Sequence, residues 1–347
     1  MTRYVLGRVL AAAAVLWAAF TVSFVVLYLL PSDPVSVMLD NASAGQSVDP
    51  AQVAALRARY GFDQGPLQQY LSQLGHTLTG DLGTSLSSGA PVRELIGQAL
   101  PQTAALAGLA LVIAVVVGGG VALLASWTRS DRLRGLLLAL PPLGVAVPGF
   151  WVGLLLLQLF SFRWYWFPAV GNEGFASLVL PAVTLAIPAS ASVAQVLAQG
   201  LDAAWRSPYV ETALAKGATR TRVLTRHVVR NAVLPALTVL GVLVGHLLAG
   251  SVVAETVFSR QGFGRLVEEA VTVQDIPVVQ GLVVVAAVVF VLVNLLVDLA
   301  YPLLDPRIDL TAAAGRGLLR LPRRSRSAGV PGRAAVPAAP AELRSAA

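Results

Sequence analysis

The sequence predicts an all-α integral membrane protein with six transmembrane helices and both termini in the cytoplasm. Composition, apolar run length and arginine placement each point there. Of 347 residues, 56% are hydrophobic and only 12% charged, with mean hydropathy +0.72. A soluble domain carries about 25% charged residues. A helix needs about 20 apolar residues to cross the hydrocarbon core. Six runs approach or exceed that: approximately Val9–Leu30, Thr103–Trp127, Gly135–Phe160, Phe175–Ala198, Ala236–Ala254 and Val278–Val297. One ionisable side chain, His246, falls inside them. With the N-terminus inside, only Arg57, Arg59, Arg93, Arg163, Arg260 and Arg265 of the 25 basic residues face outward. The positive-inside rule favours that orientation.

The first run (residues 1–30) follows Arg3 and Arg8 and is longer than a signal-peptide core, with no convincing small-residue cleavage site before Pro31. It reads as a retained span. Residues 31–100 form an extracytoplasmic segment. Asp49-Pro50 is placed to open a helix that Gly61 closes, and Leu67, Tyr70, Leu71 and Leu74 predict a second, amphipathic one. The segment reads as a cap on the membrane surface or as a docking surface for an external partner. Residues 101–306 hold the other five spans. Gly118, Gly119 and Gly120 permit close helix approach, and Pro141, Pro142, Pro148, Pro181 and Pro188 predict kinks that shape either simple packing or a pathway. Residues 307–347, rich in Ala, Gly, Pro and Arg, are expected to be a disordered basic cytoplasmic tail near anionic lipid.

Charge and cysteine narrow the chemistry further. The net +7 comes from arginines and one lysine, mostly flanking apolar runs, so it implies membrane lipid rather than nucleic acid. Cysteine is absent, which excludes disulfides and thiolate metal sites. Lys216 precedes Gly217 rather than Ser or Thr, so there is no P-loop. His76, His227 and His246 never stand in an H-E-x-x-H setting. The spans offer no nucleophile and base pair. Enzyme is therefore the weakest class.

The loop at 200–235 is the longest internal one, and its punctuation is sharp. Ser207 is placed to cap, and Pro208 to start, a short helix with Glu211 in its first turn, where the helix dipole favours a carboxylate. Val210, Ala213 and Leu214 make one apolar face. Gly217 is placed to end it in a left-handed turn, and Thr219 to cap the next helix. There Arg222, Arg226 and Arg230 predict a basic stripe, and Pro235 a break before span five. Taken alone, the stripe also suits an interfacial helix lying on lipid phosphates.

This segment resembles the cytoplasmic coupling motif of ABC importer permeases, E-A-A, three residues, then G, with a proline downstream. It stands here as Glu211-Thr212-Ala213, Leu214-Ala215-Lys216, Gly217. Thr212 replaces the middle alanine, and Pro235 lies farther from the glycine than the pattern has it. The longer form, with Tyr209, Arg226-His227 and Arg230-Asn231-Ala232 before Leu234-Pro235, is similar to the dipeptide/oligopeptide/nickel branch. So are Gly80-Asp81-Leu82-Gly83-Thr84-Ser85, Glu255-Thr256-Val257-Phe258, Gly262-x-Gly264-Arg265 and Leu304-Asp305-Pro306-Arg307. The resemblance covers nearly the whole chain to Arg307.

What the resemblance implies is a type I ABC importer permease fold and a multi-pass protein of the cell membrane. It also implies a coupling site made of Tyr209, Glu211, Thr212, Ala213, Lys216, Gly217, Arg226, Asn231 and Pro235. Its implied partners are a second homologous permease, two cytoplasmic ABC ATPase subunits and an extracytoplasmic substrate-binding protein. ATP and Mg would sit on the ATPases, with no cofactor on this chain. Peptide is the expected cargo, nickel chelates, glutathione-like compounds and short sugars being others in relatives. No residue of the spans identifies itself as a substrate contact. The alternative reading is an ion-coupled secondary transporter, but His246 stands alone in the spans, and Asn294 and Asp298 near the cytoplasmic end of span six read as structural hydrogen-bonding groups or interface anchors rather than relays.

Overall fold

In the computed structural model, residues 2–28 and 65–304 are described, and they are helical almost throughout. The expected helix between Asp49 and Gly61 and the tail after Arg307 lie outside those residues. Helix α1 is Thr2–Tyr28, α2 is Pro66–Leu78 and α3 is Val92–Trp127. Then come α4, Asp131–Ala146, and α5, Gly149–Leu156, which continues into a π-helical turn, Leu157–Arg163. Helix α6 is Ala176–Trp205, α7 is Pro208–Ala215 and α8 is Arg220–Val223. A second π-helical turn, Leu224–Val228, joins α8 to α9, Val229–Val257. Last are α10, Phe263–Thr272, and α11, Ile276–Leu304.

Among the described residues, five helices are long and apolar enough to cross a bilayer, and α4 with α5 and its π-helical turn forms a pair bent by 98° that makes a sixth when counted as one span. The bend has a local cause. Pro148 has no N–H to give, and it forces Val147 into extended backbone (φ −87, ψ 128). Span three is therefore an elbow, not the gently kinked helix its composition suggests.

Two boundaries differ from the hydropathy reading. Helix α3 begins at Val92 and runs through Pro101, so the segment expected to end near residue 100 closes inside a helix. Its polar first turns dilute the apolar signal that set the earlier limit. Pro235 does not break span five either: α9 runs through it, and one continuous helical stretch covers Arg220–Val257.

The core lies where α3, α6 and α9 meet, around Leu106, Ala110, Ala114, Ala182, Ala186, Leu243 and Leu247. Small residues set the spacing. A Cβ on Gly118 would collide with the carbonyl oxygen of Ser190, so α3 and α6 meet backbone to backbone there. Helix α1 packs against α11, with Arg8 Nη2 2.9 Å from an Asp298 oxygen. The amphipathic α2 expected from the leucine spacing is present, and it leans on α1 through Tyr70, whose ring meets Phe20 and Phe24 and whose hydroxyl meets Thr21 Oγ1 at 2.9 Å.

At the end of the bundle away from residues 207–223, buried polar groups tie elements together. The Asp275 carboxylate accepts from Ser85 Oγ at 2.6 Å, from Leu86 and Ser87 N–H at 3.1 Å, and from Ser87 Oγ at 3.0 Å. It thereby holds the turn before α3 against the start of α11. Arg260, 1% exposed, donates to the carbonyls of Gly171 and Ser177 and to Ser177 Oγ, at 2.9–3.0 Å. Glu255, also 1% exposed, accepts from Thr103 Oγ1 and from the N–H of Arg265, which fixes the start of α10.

Candidate functional site

Between α6 and α9 the chain leaves the bundle, turns twice and re-enters. Ser207 precedes α7 in extended backbone (φ −79, ψ 141), but its hydroxyl donates to the Ala203 carbonyl at 3.3 Å instead of capping. Pro208 starts the helix, and Glu211 stands in its first turn. The helix ends in a Schellman motif: Gly217 N–H donates to Leu214 O at 2.9 Å and Ala218 N–H to Ala213 O at 3.1 Å. That closure requires the left-handed conformation Gly217 adopts (φ +82). Thr219 then caps α8, its hydroxyl accepting from Arg222 N–H at 3.3 Å.

The underside of this step is packed tight. Val210, Val223, Leu224 and Val228 are buried against Ala122 of α3 and Leu197, Leu201 and Ala204 of α6. Trp205 Nε1 donates to Ser126 Oγ at 2.8 Å, and the Arg220 guanidinium lies 5.1 Å over the Trp205 ring. Asp202 holds both Arg134 of α4, at 2.8 Å, and Arg206, at 2.9 Å. Glu211, Leu214 and Arg220 share with Arg134, Asp202 and Trp205 a cavity of about 380 Å³.

Its upper side is open. Tyr209, Glu211, Thr212, Ala215, Lys216 and Gly217 are exposed, and Ala213 is half-buried. Among the residues expected to act together, Tyr209 and Asn231 meet: Asn231 Nδ2 donates to the Tyr209 hydroxyl at 3.1 Å, joining α7 to α9 across Gly217. Arg226 and Arg230 are exposed with Arg222, but the widened turn at 224–228 keeps the three off a single straight row. Pro235 lies exposed inside α9, two turns beyond that widened turn. The second short helix anticipated after the glycine is in fact the opening of a span.

Sequence reasoning missed the brace: Ser126, Arg134, Asp202, Trp205 and Arg220. The Asp202–Arg206 pair is visible at i, i+4. The partners on α3 and α4 lie 68 to 94 residues away and leave no local signal.

Residues 114–310 match the family described as binding-protein-dependent transport system inner membrane component, and residues 1–107 match its N-terminal companion. A probable peptide ABC transporter permease protein of Sinorhizobium fredii is 34% identical over 313 residues, spanning 88% of this chain and 98% of the relative. A dipeptide transport system permease protein of Alkalihalophilus pseudofirmus is 31% identical, over 89% of this chain and 99% of the relative. A glutathione transport system permease protein of Salmonella paratyphi A is 36% identical over the same shares. Among solved structures, an inward-facing MetNI methionine ABC transporter chain matches in fold, with TM-score 0.53 and 16% identity, covering 60% of this chain and 96% of that one. Nothing in these likenesses supports an ion-coupled carrier. The apolar spans, the helix–glycine–helix step packed beneath them and these likenesses converge: the chain belongs to the binding-protein-dependent transport system inner membrane components, the permease subunits of ABC transporters.

Proposed function

We propose that this chain is one permease of a peptide importer, worked from the cytoplasm through the step formed by Tyr209, Glu211, Thr212, Ala213, Lys216 and Gly217. The observation that carries the reading is the two-sided packing of that step. Its lower face is buried on α3, α6 and α9, and its upper face is exposed around Gly217. A rigid element so mounted transmits a push to three spans at once. In this reading two ATPase subunits close on ATP and Mg, one step seats in each, and the permease pair alternates between inward- and outward-open states. Differential contact in two states is what lets a remote nucleotide move a gate. Tyr209 and Asn231 keep α7 aligned with α9, while Glu211 and Arg226 meet the ATPase. A separate binding protein delivers cargo to the outer mouth. Peptide as cargo rests on the names of the relatives.

The test is uptake and ATP hydrolysis by the reconstituted assembly. Gly217→Val strains a φ of +82 that β-branched residues resist, and Glu211→Lys reverses an exposed charge. Each is expected to reduce uptake at least tenfold while the protein still inserts and is recovered in the membrane. Full uptake in both variants would overturn the coupling assignment.

A further inference from the structure

Away from the step, a cavity of about 470 Å³ opens between the elbow, α6 and α9. Its depth follows from the chain itself. The middle of α9 is Leu243, the middle of α6 lies between Ser190 and Ala191, and the middle of the α4–α5 pair is Val147. The cavity is lined by Leu243, by Ala189 and Ser192, and by Val145 and Gly149. On α6 and the elbow these residues are central, while on α9 the wall runs from Leu243 outward to Val253 and Ala254, so the cavity reaches from the bilayer midplane toward the end of the bundle near Phe258.

Its wall is mostly aliphatic, with three polar side chains. Thr184 Oγ1 and Ser192 Oγ spend their protons on the Leu180 and Pro188 carbonyls, at 2.9 and 3.2 Å, which leaves both hydroxyl oxygens as acceptors. His246 is exposed into the space and has no hydrogen bond or ion pair among the described residues. Pro188, which also lines the cavity, takes one backbone donor out of α6. It supplies no N–H to the Thr184 carbonyl. Seven residues earlier the same loss, at Pro181, is made good by Arg260, which donates to the Ser177 carbonyl. No described side chain does this for Thr184.

An ionisable group at mid-membrane is expensive and is found facing an aqueous pathway. Ligand pockets of about 300–1,000 Å³, apolar with a few converging polar groups, hold small molecules. We propose that this cavity is a cargo-binding subsite within the permease, taking a short peptide on its way through. Peptide N–H and ammonium donors meet the Thr184 and Ser192 oxygens, the carboxylate meets His246, and aliphatic side chains lie on Leu185, Leu243 and Leu247. The subsite rests on the importer reading above and adds to it a place where this chain itself selects cargo.

The permease–ATPase assembly, purified free of binding protein and placed in nanodiscs without nucleotide, tests it by equilibrium binding of radiolabelled dialanine and glutathione. At least one probe should bind the unmodified assembly. His246→Leu and the space-filling Ser192→Phe should each weaken that binding at least tenfold, and Val242→Leu, an exposed change on α9 outside the cavity, should leave it alone. Absence of binding to the unmodified assembly, or unchanged binding in both cavity variants, overturns the subsite. So does loss of the second permease from the Ser192→Phe preparation, since the cavity would then be a packing surface. Binding that follows the expected pattern, with no ATP-driven uptake when the same assembly is reconstituted in liposomes with its binding protein, sinks the importer reading and leaves the subsite standing.

Discussion

Arg260 occupies the place of a missing backbone N–H. Pro181 leaves the Ser177 carbonyl without its helical donor, and the Arg260 guanidinium supplies one from another element. Burial lowers the pKa of that guanidinium, and the nearby Glu255 carboxylate opposes the shift. Glu255 in turn gathers the Thr103 hydroxyl and the Arg265 N–H, and Thr103 accepts from Phe263 N–H at 2.7 Å. Removing the carboxylate leaves the Thr103 hydroxyl and the Arg265 N–H without their acceptor and takes the nearby opposite charge from buried Arg260. Glu255→Ala is therefore expected to destabilise by about 3 kcal/mol or more. Glu255→Gln keeps the volume and one acceptor, and should cost about 1–2 kcal/mol. Thermal unfolding of the detergent-purified protein would rank the three, and equal melting temperatures would refute the network's role. The sequence marks both residues as charges beside span five, but nothing local says that they are buried or which carbonyls they serve.

Helix spacing is decided by single glycines, and the triplet in α3 separates them cleanly. A Cβ on Gly118 would collide with the Ser190 carbonyl and stand 3.0 Å from Val193 Cβ, whereas Gly120 has nothing within 4 Å. Gly118→Ala must push α3 and α6 apart and should cost about 1–3 kcal/mol. Gly120→Ala should be neutral or slightly stabilising, because alanine is the better helix former. Matching losses in assembly yield for the two variants would contradict the packing described. The spacing of small residues announced a close approach, but not which of three adjacent glycines makes it. Element existence was legible because hydropathy is a sum over many residues. Element ends were not: the polar opening of α3 hid eleven helical residues, and Pro235 resembled a stop because the packing that carries a helix through a proline comes from other spans.

At the scale of the molecule, charge asymmetry sets orientation, and the cysteine-free chain makes that testable. Lys216 and Thr272 are both exposed and lie beyond opposite ends of the continuous helix Arg220–Val257. One span separates them, so they face opposite sides of the membrane whatever its orientation. Arg206, Lys216, Arg220, Arg222, Arg226 and Arg230 crowd one end, while Arg260 and Arg265 at the other are matched by Glu255, Glu268 and Glu269. Carrying the first group across the bilayer is the costlier choice. Single variants Lys216→Cys and Thr272→Cys should therefore label differently in intact cells with a membrane-impermeant maleimide. Thr272→Cys should react from outside, and Lys216→Cys only after the membrane is opened. The reverse pattern would put the step around Gly217 on the external face, beyond reach of any cytoplasmic ATPase, and the coupling mechanism would fall with it.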